Sequence, residues 1–379
     1  MSLLWLITIV SSLHVLIKFS SCFLLIGYSF FIIFYYGKLK LICNLIKNNL
    51  SQKQALILAG LTLIIIVLIV PYYLYPMANV GFKGGGGSDS DDALVAAGKA
   101  LINFKYPYYA ESYLRNLVAP LPGSLILSVP FVLLGNMALQ NIFWLFVLFL
   151  SLKKILGDWR YSLLFTWTLI FTSPESLHEL IVSGYKLSSV VIVIICLVLL
   201  IDCLNKNNIS YWKKYLYLIF LGIALSSRGD LLLMLPIFFS YLIQNIGLRK
   251  SVEYILTILI AFMIVTLPFY LYDPFGFTPL IVQLEKIMYS NPVLNLNKII
   301  LIVAFCILVS VRTMKNNTMK FFESVGIILL IPSLLAFITL YIEFKELDVS
   351  YLTYSYGSYV FILLTYFLRI IEKNKIAKS

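Results

Sequence analysis

An all-α polytopic membrane protein, with about 11–13 transmembrane helices, is the fold class that this sequence predicts. Three observations carry that expectation. Hydrophobic residues fill 61% of the 379 positions, and the mean hydropathy is +0.95, beyond the range of an ordinary soluble domain. Apolar runs of ~20 residues, enough to cross a bilayer core, recur along the whole chain. Charged residues are only 12% of the total and gather between these runs. No soluble domain of any size and no fixed-period repeat is visible, so residues 1–379 read as one integral membrane domain.

The first apolar stretch runs from Leu3 past Lys18 to Tyr36 without a small-residue cleavage pattern. It is expected to stay as membrane helix and not to be removed as a signal peptide. Lys38, Lys40, Lys47 and Lys53 follow with no acid among them, which marks a cytoplasmic loop. The next run, 55–75, then leads outward to an external loop over 78–120. Beyond it the loops alternate. Lys153, Lys154 and Arg160 read as internal, and 173–185, with Glu175 and Glu179, as external. Lys206, Lys213 and Lys214 are internal, Arg228 and Asp230 external, Arg249 and Lys250 internal. The segment 273–297 is external, Arg312, Lys315 and Lys320 internal, 343–348 external, and the tail 372–378 internal.

That alternation closes only if 120–152 crosses an odd number of times. One helix bent near Gly135 would satisfy it, as would a shallow re-entrant piece followed by one span. The sequons at Asn49, Asn208 and Asn316 all fall on loops read as internal, where glycosylation does not occur. The net charge of +12 follows these loops, so it signals membrane orientation and not nucleic acid. The five cysteines lie in or beside apolar segments with no CxxC pair, which argues against a disulfide framework or metal knuckle.

Chemistry concentrates in the external loop. GGGGSDSDDAL, residues 84–94, sets Asp89, Asp91 and Asp92 within four positions behind four glycines. The following ALVAAGKALINF has helical character. Asp89 or Ser90 is therefore a candidate N-cap, with Asp91 and Asp92 in a first turn that favours acids. Capping accounts for one or two of the carboxylates. With three clustered, at least one is expected to be catalytic or to hold a divalent cation such as Mg or Mn. Mutual repulsion should make one of them keep its proton more tightly unless a cation is bound.

Three further stretches belong to the same face. In KYPYYAESYLRNLVAPLPGSLILSVP, residues 105–130, Tyr106, Tyr108, Tyr109 and Tyr113 suit either an interfacial belt or a sugar-stacking surface. Lys105 and Arg115 there are candidates to neutralise a phosphate, or simple membrane anchors. In SSRGDLLLMLP, residues 226–236, Arg228 sits between two apolar runs, where a charge needs a partner or a cavity. It either pairs with Asp230 across a tight turn or offers its guanidinium fork to a lipid-linked phosphate. In PFYLYDPFGFTPL, residues 268–280, Asp273 begins a natural turn. His178 is the single external histidine; the other, His14, lies in an apolar run. His178 reads more readily as an interfacial residue than as an acid or base.

Several motifs are absent. There is no GxxxxGK[ST], no GxGxxG after a strand and no HExxH, so neither a nucleotide-driven pump nor a membrane zinc protease is supported. Acids at mid-membrane, usual in ion-coupled transporters, are almost absent as well.

On SDSDDAL, ALINFKYPYY and PLPGSLILSVPFVLLG, and more weakly on SSRGDLLLMLP and LYDPFGFTPL, the chain resembles the GT-C superfamily of polytopic membrane glycosyltransferases. In particular it resembles the mannosyltransferase-like members that depend on polyprenyl-phosphate sugars. The resemblance implies a donor sugar carried on polyprenyl phosphate and a glycan, lipid or protein acceptor at the outer face of the cell membrane. It also implies a general base in the first external loop, at Asp89, Asp91 or Asp92. The sequence departs from the commoner family pattern, because residues 81–88 separate the acids from the first helix. The chemistry is consistent with the residues present: the acceptor hydroxyl needs a base and the departing phosphate needs positive charge. Two other expectations stand beside it. One is a lipid-linked glycan flippase or polysaccharide exporter; the other is a non-catalytic partner in envelope assembly.

Overall fold

The computed structural model describes residues 2–19, 22–79, 89–206, 211–280, 304–306, 308–310, 317–345 and 349–376. Among them every regular element is a helix. The N-terminal apolar stretch, expected to stay as membrane helix, is helical in its described residues, as α1 (Ser2–Phe19) and α2 (Cys22–Asn49). Length forces the division: one helix from residue 3 to residue 49 would measure about 70 Å, over twice the thickness of a bilayer core. Ser51 opens α3 (Gln52–Ile69) with a capping box. Its Oγ accepts from the Gln54 amide, and Gln54 Oε1 accepts from the Ser51 amide. Pro71 supplies no amide to the ladder. There α3 widens into a π-turn (Val70–Leu74) before α4 (Tyr75–Ala78).

The chain continues through α5 (Ser90–Ile102), α6 (Pro122–Leu133), α7 (Ala138–Leu156), α8 (Trp159–Phe171), α9 (Pro174–Ile181), α10 (Tyr185–Asn205) and α11 (Tyr211–Leu225). A 3₁₀ segment (Gly229–Met234) leads into α12 (Leu235–Ile246) and α13 (Leu248–Tyr272). Then come α14 (Thr318–Phe344), a 3₁₀ segment (Val349–Ser355) and α15 (Tyr356–Ile376). The bundle is built around α10, whose residues from Leu187 to Val198 are all buried. An apolar helix without a polar stripe belongs in such a centre.

Eight helices among the described residues are long and apolar enough to cross a membrane, fewer than the 11–13 expected. The difference lies in short elements. The 13-residue α8 rises only about 20 Å, short of a ~30 Å core. Residues 281–303, part of the expected external segment 273–297, lie outside the described residues, as do Arg312 and Lys315.

Side-chain bonds sort the loops into two groups. At one end Arg160 Nη1 donates to the carbonyls of Lys47 (2.7 Å) and Leu50 (3.1 Å), and Asn374 Nδ2 donates to Asn44 Oδ1 (3.1 Å). These segments are the ones read as internal. At the other end Tyr106 and Tyr109 donate to Phe269 O and Asp273 Oδ2, both 2.8 Å. Thr278 Oγ1 donates to Val118 O at 2.6 Å, and Lys186 Nζ donates to Thr353 Oγ1 at 3.2 Å. These bonds join segments read as internal to one another, and segments read as external to one another.

The segment 120–152 holds the short helix α6 followed by the longer α7. The Gly123 amide donates to Ser226 O (2.9 Å) at one end of α6, while Asn136 Nδ2 donates to Pro71 O (3.2 Å) just past the other. Gly135 turns the chain at φ +71° into α7, which is long and apolar enough to cross a membrane. Gly123 is needed for this docking, since a Cβ there would stand 2.3 Å from the Ile223 carbonyl oxygen.

Single cysteines at Phe104 and Phe275, 100% and 92% exposed, are expected to react together with an impermeant thiol reagent in intact cells. One at Lys213 should react only after permeabilisation. Labelling of Lys213→Cys from outside would reverse the orientation, and labelling of only one of the first two would break the shared face.

Candidate active site

The acidic helix α5 is alanine-rich and ends at Asn103. Its buried face carries Asp91, Leu94, Ala97 and Gly98, the three- and four-residue spacing of one helix side. That periodicity turns Asp91 inward and leaves Asp92 half-buried beside it. Gly98 and Val132 bring α5 against α6.

The three carboxylates do not act as one group. Asp89 occupies the N-cap position, but its side chain makes no capping bond. Instead Asp89 Oδ2 accepts from Ser112 Oγ (2.9 Å) and Asn116 Nδ2 (2.7 Å), so the loop's polar side chains outcompete the helix amides. Asp91 is 1% exposed and accepts from the Tyr75 hydroxyl at 2.8 Å. Burial pushes its carboxyl up to about 6. Asp92 Oδ2 is buried and has no hydrogen-bond partner. Burial, then the charge of Asp89, raises its carboxyl too. Among the described residues no three His, Cys, Asp or Glu side chains come together to hold a metal ion. Asp89 and Asp91 are each bonded to their own partners, Ser112 with Asn116 and Tyr75.

Several other candidates have structural roles. Tyr108 is 1% exposed, donates to Pro120 O at 3.2 Å and packs on Phe269 and Phe277. It is core, with no face for a sugar. Asp273 accepts from Phe275 N and Tyr109 Oη; the turn amides and that hydroxyl hold it below the usual carboxylate range. Arg115 is exposed at φ +62° in the turn between Ser112 and Asn116, the two residues that hold Asp89. Lys105 is exposed just past α5. These two cations border the acidic helix, and no ion pair involves them among the described residues.

Arg228 is 6% exposed, and its fork closes on Asp230 through Nε (3.0 Å) and Nη2 (2.7 Å). The pairing expectation is realised, and a bidentate phosphate grip is not available to it. Arg228 Nη1 remains buried with no partner. The turn is fixed to α6 by Gly123 N→Ser226 O and by Ser124 Oγ→Ser227 O (3.3 Å).

Around Arg228 lies a charged cluster that sequence reasoning missed. Glu175 and Glu179 on α9 are 1% and 3% exposed. Lys186 Nζ, at the start of α10, donates to Glu175 Oε1 (3.1 Å) and stands 3.6 Å from Glu179 Oε1. Glu179 Oε2 also accepts from the Lys186 amide at 3.0 Å, capping α10. Gly184 makes room for it, since a Cβ there would lie 2.3 Å from that oxygen. Tyr354 completes the group, its ring 5.8 Å from Lys186 Nζ and 5.7 Å from Arg228 Cζ. His178 is half-buried on the same helix, three residues after Glu175. Burial, against the opposing charge of Lys186, pushes Glu175 up to about 7. The signal available in sequence was two acids on a short helix followed by a lysine.

Asp91 and Glu175 both hold their protons more tightly in the folded state than in the unfolded chain. Their contribution to stability is fully present below the ordinary carboxylate range and is lost as pH rises through about 6 and about 7. The unfolding temperature in nanodiscs should fall between about pH 5 and about pH 8, with part of the fall removed in Glu175→Gln. A profile identical in the variant and the parent would contradict it.

Comparison with protein-family models, curated proteins and solved structures finds no match to this chain.

Proposed function

We propose that the protein is a membrane glycosyltransferase that moves a sugar from a polyprenyl-phosphate carrier to an acceptor hydroxyl at the outer face of the membrane. One observation carries this reading: Asp92, a half-buried carboxylate with an unpartnered oxygen and a raised proton affinity, shares one end of a membrane bundle with the exposed cations Lys105 and Arg115. A raised carboxyl is suited to general-base work near neutrality. In the proposed reaction the half-buried Asp92 carboxylate takes the acceptor's proton as the acceptor oxygen bonds to the anomeric carbon. The bond from that carbon to the phosphate oxygen breaks, and the electron pair leaves with the phosphate. Arg115 and Lys105 meet the charge that develops there. Asp91, tied to Tyr75, and Asp89, tied to Ser112 and Asn116, shape the helix start and do not transfer the proton. No nucleotide is needed, because the carrier phosphate activates the donor.

Purified protein in nanodiscs, given polyprenyl-phosphate hexoses and pentoses, is expected to release polyprenyl phosphate and glycosylate an acceptor. Movement of labelled carrier across the bilayer without transfer would replace this reading with an exporter. Neither activity with any donor would leave an assembly partner.

A further inference from the structure

The cluster at Glu175 is not needed for the proton transfer just described, yet it contains two buried polar atoms without partners. Glu175 Oε2 is an acceptor and Arg228 Nη1 a donor. Residues this buried normally satisfy every polar atom, and an orphan left among them is costly. The two lie within electrostatic reach, since the Arg228 charge acts on Glu175. Tyr354 borders both the arginine and the lysine bound to Glu175. Lys186, Asp230 and Tyr354 are each partly exposed, so the cluster reaches the surface.

Its charge restricts what can enter. Glu175, Glu179 and Asp230 face Lys186 and Arg228, three carboxylates against two cations. An anion such as phosphate would meet the carboxylates of Glu179 and Asp230 beside the two cations. A cation would meet Arg228 Nη1 and Lys186. A hydroxyl has the chemistry for either orphan, donating to Glu175 Oε2 or accepting from Arg228 Nη1. The tyrosine ring beside them offers an apolar face for the C–H side of a ring.

We propose that Glu175, Arg228 and Tyr354 form a socket for a neutral, hydroxyl-rich ring such as a hexose. This deepens the transferase reading by naming where the sugar is held, but binding of the ring can be measured without transfer. The probes are octyl glucoside, octyl galactoside and octyl mannoside below their micelle concentrations, with octyl phosphate as control. Calorimetry on protein in nanodiscs should show binding of at least one hexoside. Glu175→Gln, which presents an amide in place of the free acceptor, should weaken it about tenfold or more. The half-buried Tyr354→Ala should weaken it as well, and this change removes no buried charge. Octyl phosphate should not distinguish either variant from the parent. Failure of all three hexosides to bind, or equal hexoside affinity in parent and both variants, overturns the socket. Hexoside binding without sugar transfer would sink the transferase reading alone. Transfer with hexoside affinity unaltered in the variants would sink the socket alone.

Discussion

Asp92→Asn is expected to lower sugar transfer by ~10²–10⁴-fold, the usual cost of losing a general base, with insertion and abundance unchanged. The amide is nearly isosteric, but its oxygen is not basic enough to take the acceptor's proton. Asp92 Oδ2 holds no hydrogen bond, so the change breaks nothing structural. The neighbouring acids give the contrast. Asp91→Asn keeps an oxygen for the Tyr75 hydroxyl and removes a carboxyl that burial already strains, so stability should hold or rise. Asp89→Asn keeps an acceptor for Ser112 and Asn116. Each of these two should retain transfer within about an order of magnitude. Added Mg²⁺ or Mn²⁺ should not revive Asp92→Asn, because a base is missing and not a ligand. Parental rates in all three variants would end the enzyme reading, while loss confined to Asp91→Asn would move the base to that residue.

The parts legible in the sequence were those set by local rules. Hydropathy marked the helices, and Pro122 and Gly135 marked the start of α6 and the turn after it. The Asp273 turn followed from its Asp-Pro start, and Asp89, one of the two N-cap candidates, does precede α5 at the N-cap position. Its side chain was not, because Ser112 and Asn116 lie more than twenty positions away and compete with the nearby amides. Tyr108 looked like a stacking surface because four tyrosines within eight residues carry no sign of which one the fold buries. Burial of Asp91 was present in the helical spacing to Leu94 and Gly98, although its Tyr75 partner was not.

The Glu175 cluster was the least legible part. Glu175 and Glu179 marked an external loop, and read by composition they were ordinary loop acids. Only the sharp turn at Gly184 brings Lys186 back onto them, and only folding delivers Tyr354 from a part of the chain that resembled nothing specific. Charge networks closed over long sequence separations leave no periodic trace. Isolated acids flanking a short helix are their only signal.

Lys186→Met tests that network most severely. The ammonium stands between two nearly buried carboxylates, at 3.1 Å from Glu175 and 3.6 Å from Glu179. Removing it leaves both acids in a site that water reaches poorly, and breaking a buried pair on one side costs about 3–5 kcal/mol. The variant should therefore show a much lower unfolding temperature and reduced abundance in the membrane. Low pH should relieve it, since protonation discharges the two acids, and the variant's stability should rise as pH falls toward about 5 more steeply than the parent's. Lys186→Met combined with Glu175→Gln and Glu179→Gln should recover most of the loss. No unpaired charge is then buried, and the side-chain oxygen introduced by Glu179→Gln still accepts from the backbone amide at position 186. Recovery in the triple variant without recovery of hexoside binding would separate the network's structural role from the socket built on Glu175. Parental stability in Lys186→Met alone would mean that solvent reaches the glutamates and that the cluster is not a buried one.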